Sequence, residues 1–280
     1  MKKQINKVQK FVLAAGLLVT AAQAGVPLNG LQGDGGIAFN PLAYLAGTYD
    51  KDSKDGLGEW VSKPQVGAWY VNLNDADINW YAASAALSVA NRVELSYGNG
   101  FIDAKNVDRS IDTHNVGAKV KLLDENAFDT VWVPAIAAGG VWKYTDTDVT
   151  KALGTDKDGF DGYLVATKLI TQTPLPILIS GGVLESDEVV NGVLGHGDYA
   201  TVGFGNVDVL PLKNVAVGVE YKQGVDAGEI KNADYWDYHV AWFVNDHLSL
   251  VGAYVDTGDQ DDSSKLGLGG GLVLSAQYAF

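Results

Sequence analysis

The segment LVLSAQYAF, residues 272–280, decides the fold class because its residue types alternate strictly along its length. Leu272, Leu274, Ala276, Tyr278 and Phe280 form an apolar and aromatic set, and the residues between them are mostly small or polar. A period of two places alternate side chains on opposite faces of an extended chain. The segment is therefore predicted to form a β-strand with one apolar and one more polar face.

The same period-two alternation recurs along much of the chain, in segments separated by clusters of Gly, Asn, Asp and Pro. The clearest segments are 92–98, 115–122, 163–169, 215–222 and 235–244. Two architectures explain such strands: a soluble sandwich with the apolar face inward, or a membrane barrel with the apolar face toward lipid. Alternation alone leaves both open.

The N-terminal residues indicate export from the cytoplasm. Residues 1–10 carry four lysines and no acid, an apolar run follows at 11–22, and Ala22-Gln23-Ala24 matches a small-x-small cleavage site. The alternative is a membrane anchor, but the run is shorter than the roughly 20 residues that a spanning helix needs. We therefore expect a signal peptide at 1–24, cleaved after Ala24, and one domain at 25–280.

Three features favour the membrane barrel over the sandwich. The predicted signal peptide places the chain beyond the inner membrane. Aromatic residues recur near predicted strand ends, where a membrane–water interface favours them. They are Trp132, Trp142, Tyr144, Tyr163, Tyr221, Trp236 and Tyr254. The terminal Phe280, with Tyr278 two residues earlier, resembles the C-terminal signature by which the barrel-assembly machinery reads outer-membrane proteins.

The lengths of the predicted connections alternate as they do in transmembrane barrels. Segments 89–92, 171–176, 211–214 and 244–247 are short, as periplasmic turns are. Segments 99–111, 145–159, 186–198, 223–234 and 256–265 are long, as extracellular loops are. We predict a single all-β antiparallel barrel of about 14 strands, with 26–32 as an added first strand and 12 strands as the alternative. Segment 50–64 fits this scheme worst, because it would be a long periplasmic turn.

Composition excludes several classes of partner. The chain has no cysteine, so disulfides and thiolate metal sites are excluded. Its 20 Lys and Arg face 34 Asp and Glu, giving a net charge of −14, which argues against nucleic acid as a partner. No cofactor or metal site is expected. The expected partners are outer-membrane lipid, the assembly machinery and small solutes.

Several segments together resemble the outer-membrane proteins grouped as domain of unknown function 3034. They are NRVELS (91–96), TKALG (150–154), GYLVATKL (162–169), VGVEYK (217–222), WDYHVAWFVNDHLSL (236–250) and AYVDTG (253–258). The resemblance covers most of the chain after residue 24. It implies a β-barrel in the outer membrane of a Gram-negative bacterium, and it implies no activity.

Charged and polar residues in phase with the polar faces are predicted to line the barrel interior, since a charge toward lipid costs about 2–4 kcal/mol at the midplane. They are Arg92, Glu94, Lys119, Lys121, Lys143, Lys168, Glu220, Lys222, Asp237 and His239. They suit a narrow channel or uptake barrel for small solutes, or a closed structural barrel filled by ion pairs. A lipid hydrolase is the weaker alternative, because no serine shares the strand face of His239 and Asp237. We therefore expect no enzyme.

Overall fold

The computed structural model describes most of the chain after the expected signal peptide. The described residues are 27–49, 57, 60–105, 109–146, 150–151, 155–190, 193–194, 199–227, 230–262 and 264–280. The expected signal peptide at 1–24 and its cleavage site lie outside these residues. Among the described residues, no helix is long and apolar enough to cross a membrane.

In the described part of the chain, the barrel strands are β1 Gln65–Leu73, β2 Ile78–Val89, β3 Val93–Ala104, β4 Arg109–Leu123, β5 Ala135–Asp146, β6 Asp158–Ile170, β7 Ile177–Ser186, β10 Ala200–Leu212, β11 Val215–Lys222, β14 Tyr235–Phe243, β15 Leu248–Asp256 and β16 Gly270–Ala279. These twelve antiparallel strands close into a single barrel in the order β1-β16-β15-β14-β11-β10-β7-β6-β5-β4-β3-β2. Two short hairpins lie in loops: β8 Glu188–Val190 with β9 Val193–Leu194, and β12 Asp226–Ala227 with β13 Ile230–Lys231. The single closed barrel is confirmed, with the alternative count of twelve strands instead of about fourteen.

The first strands were predicted wrongly. Residues 27–49 form turns and isolated bridges, not a barrel strand, and the barrel begins only at Gln65. Segment 50–64 therefore precedes the first strand and is not a turn between two strands. The physical reason lies in the run GLQGDGGIAFNP (30–41), whose glycines, Asn and Pro favour turns over an extended ladder.

The two ends of the barrel differ in their connections. The turn end, where β16 finishes, carries the connections 90–92, 124–134, 171–176, 213–214 and 244–247. The loop end carries 74–77, 105–108, 147–157, 187–199, 223–234 and 257–269. Short turns thus oppose long loops as predicted, with exceptions at both ends. At the turn end, connection 124–134 is long and contains a short 3-10 helix at Ala127–Asp129. At the loop end, connection 74–77 is short, and β3 and β4 extend into the predicted loop at 99–111.

The outer surface of the barrel is apolar and aromatic. On β14, Trp236, Tyr238, Val240 and Trp242 are exposed, whereas the intervening residues are buried in the interior. Leu272, Leu274 and Tyr278 on β16 repeat the pattern. Of the aromatic residues predicted at interfaces, Tyr163 differs, since it points inward and is buried against Val165 and its neighbours.

Candidate functional site: a lumen closed by residues 27–49

Residues 27–49, which we call the plug, cross the full width of the lumen and are anchored on four evenly spaced strands. The anchoring side chains are Glu94 on β3, Thr167 on β6, Glu220 on β11 and Gln277 on β16. In the closed order of twelve strands these four strands lie three positions apart. Glu94 therefore lies across the barrel from Glu220, and Thr167 across from Gln277, so the plug is held from four sides.

The Glu94 anchor is a buried ion pair that binds plug backbone on both sides. Glu94 and Lys119 are directly opposite in the β3–β4 register and lie 3.2 Å apart. The Glu94 carboxylate accepts hydrogen bonds from the backbone N–H of Gly35 at 2.8 Å and of Ala46 at 2.5 Å. Lys119 Nζ donates to the carbonyl oxygens of Gly35 at 2.7 Å and Tyr44 at 3.1 Å. The pair thus satisfies the buried plug backbone that would otherwise be left unpaired.

Opposite this pair, Glu220 receives three consecutive backbone N–H groups of the plug. Oε1 accepts from Asn40 at 2.7 Å, and Oε2 accepts from Ala38 at 3.1 Å and Phe39 at 3.3 Å. The Asn40 amide then donates to the Tyr221 carbonyl oxygen at 2.8 Å. A turn that points several N–H groups at one carboxylate is a strong local anion site, built here by the plug around a wall residue.

Two glycines permit the plug to touch the wall at van der Waals distance. Gly33 has φ +104, a conformation that L side chains rarely adopt, and a Cβ there would lie 2.6 Å from the Tyr97 carbonyl carbon. A Cβ on Gly98 of β3 would in turn collide with the Gln32 carbonyl oxygen. Only glycine on both sides allows this approach of two backbones.

Toward the loop end, Glu188 of the 187–199 loop folds into the barrel and joins two wall lysines. It contacts Lys143 on β5 and lies 2.7 Å from Lys222 on β11, while Lys143 also contacts Asp161 on β6. The plug joins this network through Gln32 Nε2, 2.7 Å from Glu188 Oε1. Burial raises the pKa of Glu188, but the two ammonium groups outweigh it and lower the pKa to about 2. Glu188 therefore stays ionised and ties loop, wall and plug together.

In Asp34 of the plug, burial outweighs the neighbouring ammonium group, so its pKa is raised. Burial raises the pKa of Asp34 to about 6, and the ammonium group of Lys119 offsets only part of this rise. The carboxylate of Glu94 adds to the rise because it is a nearby like charge. Asp34 is thus the plug group whose charge is most sensitive to mild acid.

A second polar group lies deeper toward the turn end, around His239. Nδ1 of His239 lies 2.6 Å from Asp237 Oδ1, and Nε2 lies 2.6 Å from Asp208 Oδ1. Asp208 on β10, Gly218 on β11 and His239 on β14 are directly opposite one another in register. Because Gly218 has no side chain, the Asp208 carboxylate reaches across β11 to the imidazole. Both ring nitrogens face carboxylates, so none of the described hydroxyl groups is positioned for activation by this histidine.

Between the plug and the wall at the turn end lies a cavity of about 360 Å³. Its walls are mainly apolar, with Leu42 and Leu45 from the plug and Trp69, Leu210 and Phe243 from the barrel. Asp208, Asp237 and His239 line its inner part, and the turn residues Lys213, Asn214, Asn245 and Asp246 line its mouth. A second apolar cavity of about 50 Å³ lies toward the loop end and shares Asp237 with the first.

The predicted lumen residues divide into three groups in the structure. Seven are buried inside the barrel: Glu94, Lys119, Lys143, Glu220, Lys222, Asp237 and His239. Arg92 and Lys121 lie at the turn-end rim, where both bind Asp124, at 2.5 and 2.8 Å. Lys168 instead lies on the outer face of β6, together with Leu164, because Val165, Thr167 and Leu169 form the buried face of that strand. Connection 124–134 covers Lys168 through Glu125, which lies 3.0 Å from it.

Sequence reasoning missed the plug and the partners that neutralise the interior charges. Asp208, Asp161 and Glu188 were not among the predicted lumen residues, although each contacts one that was. Asn206 and Asp208 alternate with Gly205, Val207 and Val209, so the period-two pattern did indicate this polar face.

Tyr278 and Phe280 lie on the outer surface, with their rings edge to face and their ring centroids 5.1 Å apart. This position does not test their predicted role in assembly.

A closed antiparallel barrel with an even strand number and an apolar outer surface defines the class of transmembrane β-barrels. Within that class, the chain belongs to the DUF3034 family, whose model matches residues 25–268 and whose description is "Protein of unknown function". The family resemblance inferred from the sequence segments is thereby confirmed.

Solved structures of similar architecture share little sequence with this chain. The outer membrane protein Omp33 of Acinetobacter baumannii is 11% identical over 79% of this chain and 98% of its own, with a TM-score of 0.42. The NanC porin is 10% identical over 78% and 98%, with a TM-score of 0.48. The COG4313 outer membrane channel of Pseudomonas putida F1 is 11% identical over 83% and 100%, with a TM-score of 0.45. No curated protein matches the chain.

Proposed function

We propose that this protein is an outer-membrane barrel that admits small solutes through a lumen gated by the plug. The observation that carries the proposal is the mode of attachment: the plug crosses the lumen and is held from four sides of the wall by side-chain hydrogen bonds. Such contacts are reversible, and the freed wall carboxylates of Glu94 and Glu220 would be hydrated in a water-filled lumen.

The width of the barrel favours a movable plug rather than a permanently filled interior. Eight-stranded barrels fill their interior with wall side chains, and sixteen-stranded porins leave an aqueous channel. Twelve strands lie between these, and here the extra space is taken by a separate segment and a folded loop. A cavity of about 360 Å³ remains beside the plug, which a purely structural interior would be expected to fill.

Orientation and location follow from the same proposal. The exposed apolar belt supports a position in the lipid of the outer membrane, with β16 ending on the periplasmic side. The turn end and the cavity mouth would then face the periplasm, and the long loops would face outward. The C-terminal residues Tyr278 and Phe280 would serve as the recognition signal for assembly.

Planar-bilayer recording of purified, folded protein tests the gate. The double variant Glu94→Gln/Glu220→Gln should open more often than the wild type, whereas Glu185→Gln, on the exposed outer face of β7, should match the wild type. A disulfide lock gives an independent test, because the chain has no native cysteine. Ala43→Cys with Thr167→Cys uses a plug–wall pair joined by a 2.8 Å hydrogen bond; oxidation should suppress the channel events and reduction should restore them.

A closed structural barrel is the second candidate, favoured by the paired burial of Lys143, Asp161, Glu188 and Lys222. The same recordings separate the two. If wild-type and double-variant proteins are both folded and neither conducts, the gate proposal fails and the structural barrel stands.

A further inference from the structure

The cavity at the turn end has the composition of a binding site for one class of molecule. Its volume, about 360 Å³, lies at the lower end of the range of about 300–1,000 Å³ typical of small-molecule sites. Its inner wall combines apolar and aromatic side chains with Gln277 and with the group formed by Asp208, Asp237 and His239, and further polar side chains line its mouth. Sites of this kind bind apolar molecules and orient them by a few polar contacts.

The polar group of the cavity carries an excess of negative charge. Asp208 and Asp237 flank a single imidazole, so even a fully protonated His239 leaves one net negative charge among the three. Glu220 lies directly opposite Asp237 in the β11–β14 register, but both of its oxygens are taken up by plug N–H groups, so the excess charge rests on Asp208 and Asp237. In an apolar cavity this charge favours a cationic ligand group and disfavours an anionic one.

One carboxylate oxygen in this group lacks a donor. Asp208 is satisfied on both oxygens, by His239 and by Asn206 Nδ2 at 2.7 Å. Asp237 is 1% exposed, and its Oδ1 accepts from His239, but among the described residues no donor reaches its Oδ2. A buried carboxylate oxygen without a partner is costly, so a ligand that donates to it would gain more than an ordinary hydrogen bond.

We infer that this cavity binds a small apolar molecule that carries one ammonium group, with the ammonium donating to Asp237 and the apolar part against Leu210, Trp69 and Phe243. The binding inference is argued from the cavity alone. A role of the cavity as the entry or exit site of a transported solute rests on the proposed function. Access is from the turn end, past Lys213 and Asp246.

Isothermal titration calorimetry on the detergent-solubilised full chain tests the inference with three probes of similar shape: phenethylammonium, 2-phenylethanol and phenylacetate. The ammonium should bind most tightly and the carboxylate most weakly. Asp237→Asn should weaken phenethylammonium roughly ten- to hundredfold, as expected for one charge-assisted hydrogen bond, and should change 2-phenylethanol little. Equal affinity of the three probes, or an unchanged ammonium affinity in Asp237→Asn, would overturn the inference.

Filling the cavity gives a second test that does not depend on a buried charge. Ala241 lines the cavity, whereas its neighbour Val240 points outward and is 48% exposed. Ala241→Phe should abolish measurable binding of phenethylammonium, and Val240→Phe should leave it at the wild-type level. Undiminished binding in folded Ala241→Phe protein would place the ligand elsewhere and refute the site.

The outcomes of this test and of the conductance test are distinguishable. Cavity-dependent binding without conductance in any variant would keep the ammonium site and reject the gated channel. Conductance that responds to the plug lock, without selective binding of phenethylammonium, would keep the channel and reject the site.

Discussion

Replacing Glu220 by glutamine should loosen the plug by an amount that the structure allows us to estimate. The carboxylate now accepts three plug N–H groups, one on Oε1 and two on Oε2. Glutamine has similar size but only one acceptor oxygen, and its NH₂ would face an N–H group. At best, the amide oxygen keeps the bonds to Ala38 and Phe39, both without charge assistance, and Asn40 loses its partner.

The expected cost is about 3.5–6 kcal/mol. A hydrogen bond to a charged group contributes about 1.5–3 kcal/mol and a neutral one about 0.5–1.5 kcal/mol, so one lost bond and two weakened ones sum to this range. Since each 1.4 kcal/mol is a factor of ten, the undocked population of the plug should rise by about two orders of magnitude or more.

Hydrogen–deuterium exchange resolved at residues 38–40 measures this directly. Their amide protection should fall in Glu220→Gln protein, while amides in the barrel strands should keep theirs because the wall ladder is untouched. Glu185→Gln, an exposed carboxylate on β7, serves as the matched control and should leave protection at 38–40 unchanged. Unchanged protection at 38–40 in folded Glu220→Gln protein would refute the view that this carboxylate holds the plug.

Three further predictions concern assembly, packing and orientation. Deleting Phe280 should reduce the heat-modifiable, membrane-inserted form while export continues; normal insertion would remove its proposed role as an assembly signal. Gly218→Ala should destabilise the barrel by about 1–3 kcal/mol in denaturant unfolding, because a Cβ there would lie 2.7 Å from the imidazole Nε2. Gly252→Ala, where the nearest atom is 4.0 Å away, should be near neutral, and equal effects would contradict the packing argument. A tag after Asp262 should be labelled on intact cells and one after Asn245 should not; the reverse labelling would invert the barrel.

Strand alternation was predictable from the sequence wherever the two faces differ in polarity. On β14, Trp236 and Tyr238 alternate with Asp237 and His239, and the structure places these pairs outside and inside the barrel. The pattern fails on β1, where inward-facing Trp69 is as apolar as the outward set. Its interior position depends on packing against the plug, which period two does not encode.

The position of Lys168 shows why charge alone is a poor guide to strand face. The pair Thr167-Lys168 offers a polar residue on each face of β6, and only the buried neighbours Val165 and Leu169 settle the parity. Lys168 remains acceptable on the outer side because it lies at the turn end, where Glu125 at 3.0 Å and Asn126 at 2.6 Å cover it. Glu125 and Asn126 lie in connection 124–134, whose fold could not be predicted from the sequence.

The polar group around His239 could not be assembled from the sequence because it depends on cross-strand register. Asp208 and His239 are 31 positions apart and meet only because Gly218 lies between them on β11. A single-residue slip would turn one of these side chains to the opposite face. Sequence patterns give the face of each residue, but not which residues of neighbouring strands lie opposite one another.

In the proposed gate, two sets of contacts set the balance between a docked and an undocked plug. Leu31 and Ala38 pack against Trp69, Val71 and neighbouring interior residues, and exposing one such leucine to water costs about 1.5–3 kcal/mol. The wall carboxylates act differently, because water can solvate them once the plug N–H groups leave. Glu94 and Glu220 thus hold the docked plug through its N–H groups without being left unpaired when it leaves. In the proposed gate, these charged anchors would make docking reversible, and the apolar contacts would keep the plug docked at rest.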